Sequence, residues 1–135
     1  MATVRSFREL RVYQAARAGA KRIFQISRRF PGEEKYSLTD QIRRASRSVG
    51  ANIAESWRKR RYPAAFVSKL SDADGEAAEV QAWLDSATDC QYINPRELED
   101  LDREYHHIQA QLCLMMDHPE KWCPPAQSKK PTDPA

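Results

Sequence analysis

A chain of 135 residues, 41% hydrophobic and 30% charged with only four glycines, is long enough for one helical domain with a real core and hardly enough for two. No apolar run reaches the ~18 residues of a membrane span, MATVRSFREL lacks a signal peptide's apolar segment, and Cys90, Cys113 and Cys123 give no even disulfide framework, so a reducing, cytoplasmic compartment is expected. The net +3 hides an asymmetry: residues 1–62 hold 16 Lys/Arg against 5 Asp/Glu, a net of +11, and residues 63–135 hold 6 against 14, a net of −8.

In chain order, Ser6 and Glu9 make a capping box that starts a first helix, predicted over residues 6–30. Val12, Tyr13, Ala16, Ala20, Ile23, Phe24, Ser27 and Phe30 form its core face, and Arg11, Arg17, Lys21, Arg22, Arg28 and Arg29 cover the other side. Pro31-Gly32 ends it, and a short connection favours an antiparallel neighbour.

The second helix, residues 37–61, is the organising stretch: SLTDQIRRASRSVGANIAESWRKRR. Ser37 with Asp40 is a weaker capping box. Leu38, Ile42, Ala45, Val49, Asn52, Ile53 and Ser56 fall on one side, and Arg43, Arg47, Arg58 and Arg61 roughly opposite, with Arg44 at the edge. Gly50 sits mid-helix at a cost of about 1 kcal/mol relative to alanine; with Ala51 and Ala54 it makes a smooth patch open to close approach. Asn52 on the apolar face needs a partner. Either another side chain of the same subunit satisfies it, or it fixes register or pairing between subunits.

Tyr62-Pro63 opens a third helix, residues 63–92, with core positions Phe66, Leu70, Ala73, Ala77, Val80, Leu84, Ala87 and Gln91. Asn94-Pro95-Arg96-Glu97 starts a fourth over 95–117, repeating through Leu98, Leu101, Tyr105, Ile108, Leu112 and Met115. The prediction is all-α: an up-down-up-down antiparallel four-helix bundle over residues 1–118. Residues 119–135 read as a Pro-rich, largely disordered tail, with Trp122 a candidate to dock back.

FRELRVYQAAR, EKYSLTDQIRRASRSVGANIAES and ADGEAAEVQAWLDSATDCQYI resemble the bacterial four-helix-bundle family of 23S ribosomal RNA intervening-sequence proteins, over roughly residues 6–116. Gln41-Ile42-Arg43-Arg44-Ala45 and Ala51-Asn52-Ile53-Ala54-Glu55 match its most specific run, as do Ala73, Gly75, Glu79 and Leu84 in the third helix. Gly50 stands where the family often has proline and Ser56 where it often has glycine, and Trp83 is less typical. The resemblance implies a homo-oligomer with a pentameric ring as its leading form, a basic surface suspected of binding nucleic acid, and no established catalytic residues. Related bundles serve as accessory subunits of diversity-generating retroelement reverse transcriptases.

Chemistry finds little purchase in these residues. A carboxylate-bridged di-metal site needs two Glu-x-x-His motifs; only Glu104…His107 has that spacing, off the core face, and the adjacent His106 and His107 diverge. Asp72, Glu76 and Glu79 read as a solvated or subunit-facing stripe, and no phosphate loop, nucleophile elbow or zinc spacing occurs. No enzyme, cofactor or metal site is expected. The expectation is an oligomer that binds structured RNA through its phosphates, using Arg22, Arg29, Arg43, Arg44, Arg47, Arg58, Lys59 and Arg61. No aromatic platform interleaves these cations, so sequence-specific single-strand readout is disfavoured, and backbone binding with weak sequence preference is expected. Trp83, Asn52 and Glu79 are the candidate oligomer contacts. The alternative is a protein-interaction scaffold, or accessory subunit of a reverse transcriptase, whose basic face meets acidic protein.

Overall fold

The computed structural model describes residues 3–125. It is a four-helix bundle: α1 Arg11–Ser27, α2 Leu38–Arg58, α3 Pro63–Asp89 and α4 Pro95–Asp117, with no strand among the described residues. Each helix packs against its two neighbours around a ring, α1–α2–α3–α4, and the backbones of diagonal helices stay apart. The α2–α3 seam is the most extensive and the α1–α4 seam the sparsest. The apolar stripes read from the sequence meet at the centre, where Ile23, Ile42, Ile53, Phe66, Leu70, Leu84, Leu101, Tyr105, Ile108 and Leu112 are all essentially water-free.

Helix ends depart from the sequence reading where one residue's backbone decides them. The Ser6–Glu9 capping box forms, but it caps a single 3-10 turn over Phe7–Glu9. Leu10 then goes extended (φ −69°, ψ 128°), which buries its side chain, and α1 begins only at Arg11. Ser37 caps α2 by accepting from the Leu38 amide, 2.7 Å, and its hydroxyl donates to Glu34 at 2.5 Å. Asp40 takes no part, so the expected Ser37/Asp40 box is replaced by a Glu34–Ser37 one. α2 stops at Arg58, leaving Lys59 and Arg61 in the turn beyond it. α3 stops at Asp89 because Gln91 adopts φ 63°, the left-handed turn that commonly ends a helix; Gln91 is exposed, not the core residue expected.

The start of the tail packs on the bundle, with Trp122 docked back. A 3-10 turn over Pro119–Lys121 folds the chain back so that Trp122 packs on the core and Cys123 is 7% exposed. Burial pushes the Cys123 thiol up from its ordinary pKa. Residues 126–135, the rest of the expected disordered tail, lie outside the described residues.

Two glycines have opposite surroundings. Gly50 is buried under the Tyr13 ring of α1, and a Cβ there would sit 3.5 Å from Tyr13 Cε1, an ordinary contact. Gly19 lies against the fully buried Tyr105, and its Cβ would meet the phenol oxygen at 2.9 Å and Cζ at 3.1 Å. That phenol has no hydrogen-bond partner, and burial raises its pKa. Gly50→Ala should therefore stabilise the bundle by about 0.5–1 kcal/mol, through lost chain entropy in the unfolded state. Gly19→Ala should destabilise it by about 1–3 kcal/mol of overpacking, and adding Tyr105→Phe should recover part of that loss. Chemical denaturation of the three variants checks the opposite signs.

Candidate nucleic-acid interface

The eight cations expected to bind phosphate separate into three groups, and the acids around them explain the division. α1 contains no Asp or Glu at all. The cations of α1 and of the turn after it find carboxylates only where they lean toward α4: Arg22 pairs with Glu104 and Arg29 with Glu97, each at 2.6 Å. On α2, Arg44 leans toward α3 and pairs with Glu79, with Glu76 at 3.7 Å. Such half-exposed pairs add little stability, but they cancel charge at the surface.

The second group faces the α1–α2 seam. Arg43 donates from Nε to Ser27 Oγ, 2.8 Å, and lays its guanidinium 4.7 Å from the Phe24 ring centroid. Arg28 approaches the same ring at 5.1 Å. Two guanidiniums thus share one aromatic ring with no carboxylate between them. Arg47 shares a groove with Arg17 of α1, floored by Gly50, Ala51 and Ala54. Lys21 falls on the helical stripe of Arg17 and Arg28. Among the described residues, Arg17, Lys21, Arg28, Arg43 and Arg47 have no ion-pair partner. Arg17, Lys21 and Arg28 stood outside the sequence-derived site, although the absence of acids from residues 11–27 was legible. The smooth patch at Gly50 is this groove, and the helix that approaches it is α1.

The third group, Arg58, Lys59 and Arg61, lies at the C-terminal end of α2, where all three are exposed. Arg58 and Arg61 line a depression of about 770 Å³ together with Arg60, Lys121, Trp57 and Trp122. Arg60 covers the Trp57 ring at 3.8 Å and donates to the Trp57 carbonyl at 2.7 Å.

The three expected oligomer contacts make their polar bonds inside the subunit. Asn52 is half-buried and donates to its own helix, to the Ser48 carbonyl at 2.9 Å. That is a backbone partner, where the sequence reading offered a side chain or a neighbouring subunit. Trp83 packs on the core, and its indole N–H reaches Glu79 Oε1 at 3.3 Å, the oxygen that also receives Arg44. The acidic stripe of α3 is paired toward α2 through Glu76 and Glu79 with Arg44, while Lys69 of α3 joins Glu55 of α2 at 2.8 Å and Asp72 of its own helix at 3.6 Å.

Glu34 fixes the loop that leads into α2. It accepts from Ser37, from the Leu38 amide and, at 2.9 Å, from the Tyr92 phenol between α3 and α4. Lys35 and Tyr36 are thereby carried outward, beside Arg43 and Arg47, in a shallow depression of about 580 Å³. No group of three or more His, Cys, Asp or Glu among the described residues could hold a metal ion. Nor is any of their helices long and apolar enough to cross a membrane. His107 bonds to Gln111 and His106 to Asp102.

The family model of the 23S rRNA-intervening sequence protein matches residues 8–113. A crystal structure of a protein of unknown function from the S23 ribosomal protein family of Bacteroides thetaiotaomicron resembles this chain with a TM-score of 0.70 at 28% identity. It covers 78% of this chain and 97% of that one. Among curated proteins none matches.

The Glu34–Tyr92 contact generates a pH signature. The Ser37 and then the Tyr92 hydrogen bond hold the Glu34 carboxyl below its ordinary 4.5, so its stabilisation is present above pH 4.5 and is lost as pH falls through the depressed value. The bond to Glu34, with burial, pushes the Tyr92 phenol up to about 12 from 10.0. That stabilisation is complete below pH 10 and is lost as pH rises through about 12. Tyr92→Phe should lower the melting temperature at pH 7 and flatten its fall on both sides. Thermal melts across pH, with tyrosinate absorbance following the phenol, check this; a melting curve shifted equally at every pH would contradict it.

Proposed function

We propose that this chain, which belongs to the 23S rRNA-intervening sequence protein family, is a non-enzymatic nucleic-acid-binding protein. It grips the phosphate backbone of structured RNA along the α1–α2 seam. The observation that carries this reading is the unpaired cation cluster there. Arg17 and Arg47 share one groove and Arg28 and Arg43 one aromatic ring, with Lys21 on the same helical stripe, and among the described residues none of the five is ion-paired; bringing them together costs self-repulsion that a polyanion relieves. Arg58, Lys59 and Arg61 extend the surface beyond the end of α2. Arg22, Arg29 and Arg44 serve instead as internal pairs. Sequence preference is weak, because phosphate contacts position without specifying.

Self-association is part of the proposal, with a five-subunit ring its leading form, because a ring would array several seams on one RNA and gain avidity. Native mass spectrometry that gives only monomer at micromolar concentration would remove this part and leave the seam.

Each phosphate contact should contribute about 0.7–0.9 to the slope of log affinity against log salt. Arg43→Gln with Arg47→Gln should therefore flatten the slope by roughly 1.5 and weaken many RNA sequences about equally. Arg22→Gln with Arg29→Gln removes the same formal charge and should leave the slope nearly unchanged, because those cations are already paired with Glu104 and Glu97. Fluorescence anisotropy on an RNA hairpin over a salt series measures both. Equal losses would return the site to the wider set of helix-1 and helix-2 arginines. Disassembly of the oligomer with binding per subunit unchanged would make the seam a protein interface.

A further inference from the structure

We propose that Tyr36 is a stacking platform for an unpaired nucleobase, so that the seam takes single-stranded segments or loops in preference to continuous duplex. The proposal rests on the seam reading above and names the class of nucleic acid that the seam holds.

Tyr36 is 84% exposed, the most exposed large apolar residue among those described. It is not a fragment of the core that failed to bury. An exposed apolar side chain is by itself ordinary, so its placement carries the argument. The ring lines the same depression as Lys35, Arg43 and Arg47, and Arg47 and Ala51 belong also to the α1–α2 groove. The two surfaces are therefore continuous, with cations along the groove and an aromatic face at its end. Lys35 Nζ lies over one face of the Tyr36 ring, 5.3 Å from its centroid, so a base stacked on the other face would have an ammonium close by for its phosphate.

The ring also stands on an ordered support. Glu34, two residues before it, is held by Ser37, the Leu38 amide and Tyr92 of the opposite loop. The loop backbone that carries the ring therefore has little freedom left to lose on binding, which favours a stacking contact. A duplex shows this ring base edges and backbone, whereas a single strand offers faces; stacking on a face accepts any base. This agrees with the absence of any base-reading pattern elsewhere on the seam. Asp40 is the one carboxylate on the rim. It opposes phosphate approach, so Asp40→Asn should tighten binding.

The experiment compares a 12-residue oligouridylate with a 30-base-pair RNA duplex, on the full chain, for wild type and for Tyr36→Ala, Tyr36→Leu and Tyr36→Phe. Ala and Leu should weaken oligouridylate binding roughly ten-fold, Phe should retain it within about two-fold, and duplex binding should not move. Three outcomes would overturn the inference: full single-strand affinity in Tyr36→Ala, equal losses on both ligands, or a lower oligomer mass in that variant by native mass spectrometry, which would make Tyr36 a subunit contact. Arg43→Gln with Arg47→Gln keeps the two readings apart. If that pair loses binding while Tyr36→Ala does not, the platform fails and the seam stands. If wild type binds neither ligand at low salt, both fail.

Discussion

The placement of carboxylates governs this surface more than the placement of arginines does. α3 and α4 carry six Asp/Glu each, α2 carries two and α1 none. Closing the ring sets α4 against one flank of α1 and α3 against one flank of α2, so the α1–α4 and α2–α3 seams neutralise themselves. The α1–α2 seam is left with unpaired cations and a single carboxylate, Asp40, on its rim. The opposite seam has the reverse problem and a different answer. Asp74 and Asp85 share the stripe of Gln81, and α3 and α4 meet through neutral amides, with Gln109 donating to Gln81 and Gln81 to Asp102. One bundle thus acquires a positive edge and, across the core from it, an acidic one.

The bundle itself was legible because apolar spacing records burial averaged over many turns. Every position assigned to the α3 core is fully buried except Gln91, and Leu101 through Met115 behave likewise on α4. Helix ends were less legible, since single backbone conformations set them. Leu10 trades a helical turn for burial, and Gln91 accepts a left-handed backbone to satisfy the Ala87 carbonyl through the Tyr92 amide, 2.9 Å. Trp57 shows a third limit. It follows the last stripe residue and precedes a basic run, yet it is 5% exposed, with the Arg60 guanidinium of that run lying over its ring at 3.8 Å.

Periodicity could separate a basic side of α1 from an apolar one, but not Lys21 from Arg22. They are one residue apart and equally far from the core stripe in the pattern, and they end on opposite flanks. Which flank meets α2 and which meets α4 depends on the hand in which the ring closes, and no single helix encodes that. The sequence-derived list therefore mixed paired and unpaired arginines. Tyr36 escaped for a related reason, since a loop residue has no period and only the Glu34 contacts decide where it stands.

A positive edge opposite an acidic edge would also suit copies of the chain meeting head to tail, which closes into a ring only if the rotation between subunits permits. The two uses compete for one surface, and the inventory of free charge favours the polyanion. On the acidic edge Asp102 already receives Gln81 and His106, and the α3 carboxylates nearest α2 are taken by Arg44 and Lys69. What remains free there is chiefly Asp74 and Asp85. Against them stand at least five unpaired cations whose spacing follows two helices, each advancing 1.5 Å per residue. A neighbouring subunit would bring a few carboxylates at fixed places. A flexible phosphate chain brings one charge per nucleotide and can adjust to the stripe, so it neutralises more of this edge with less desolvation of its own groups.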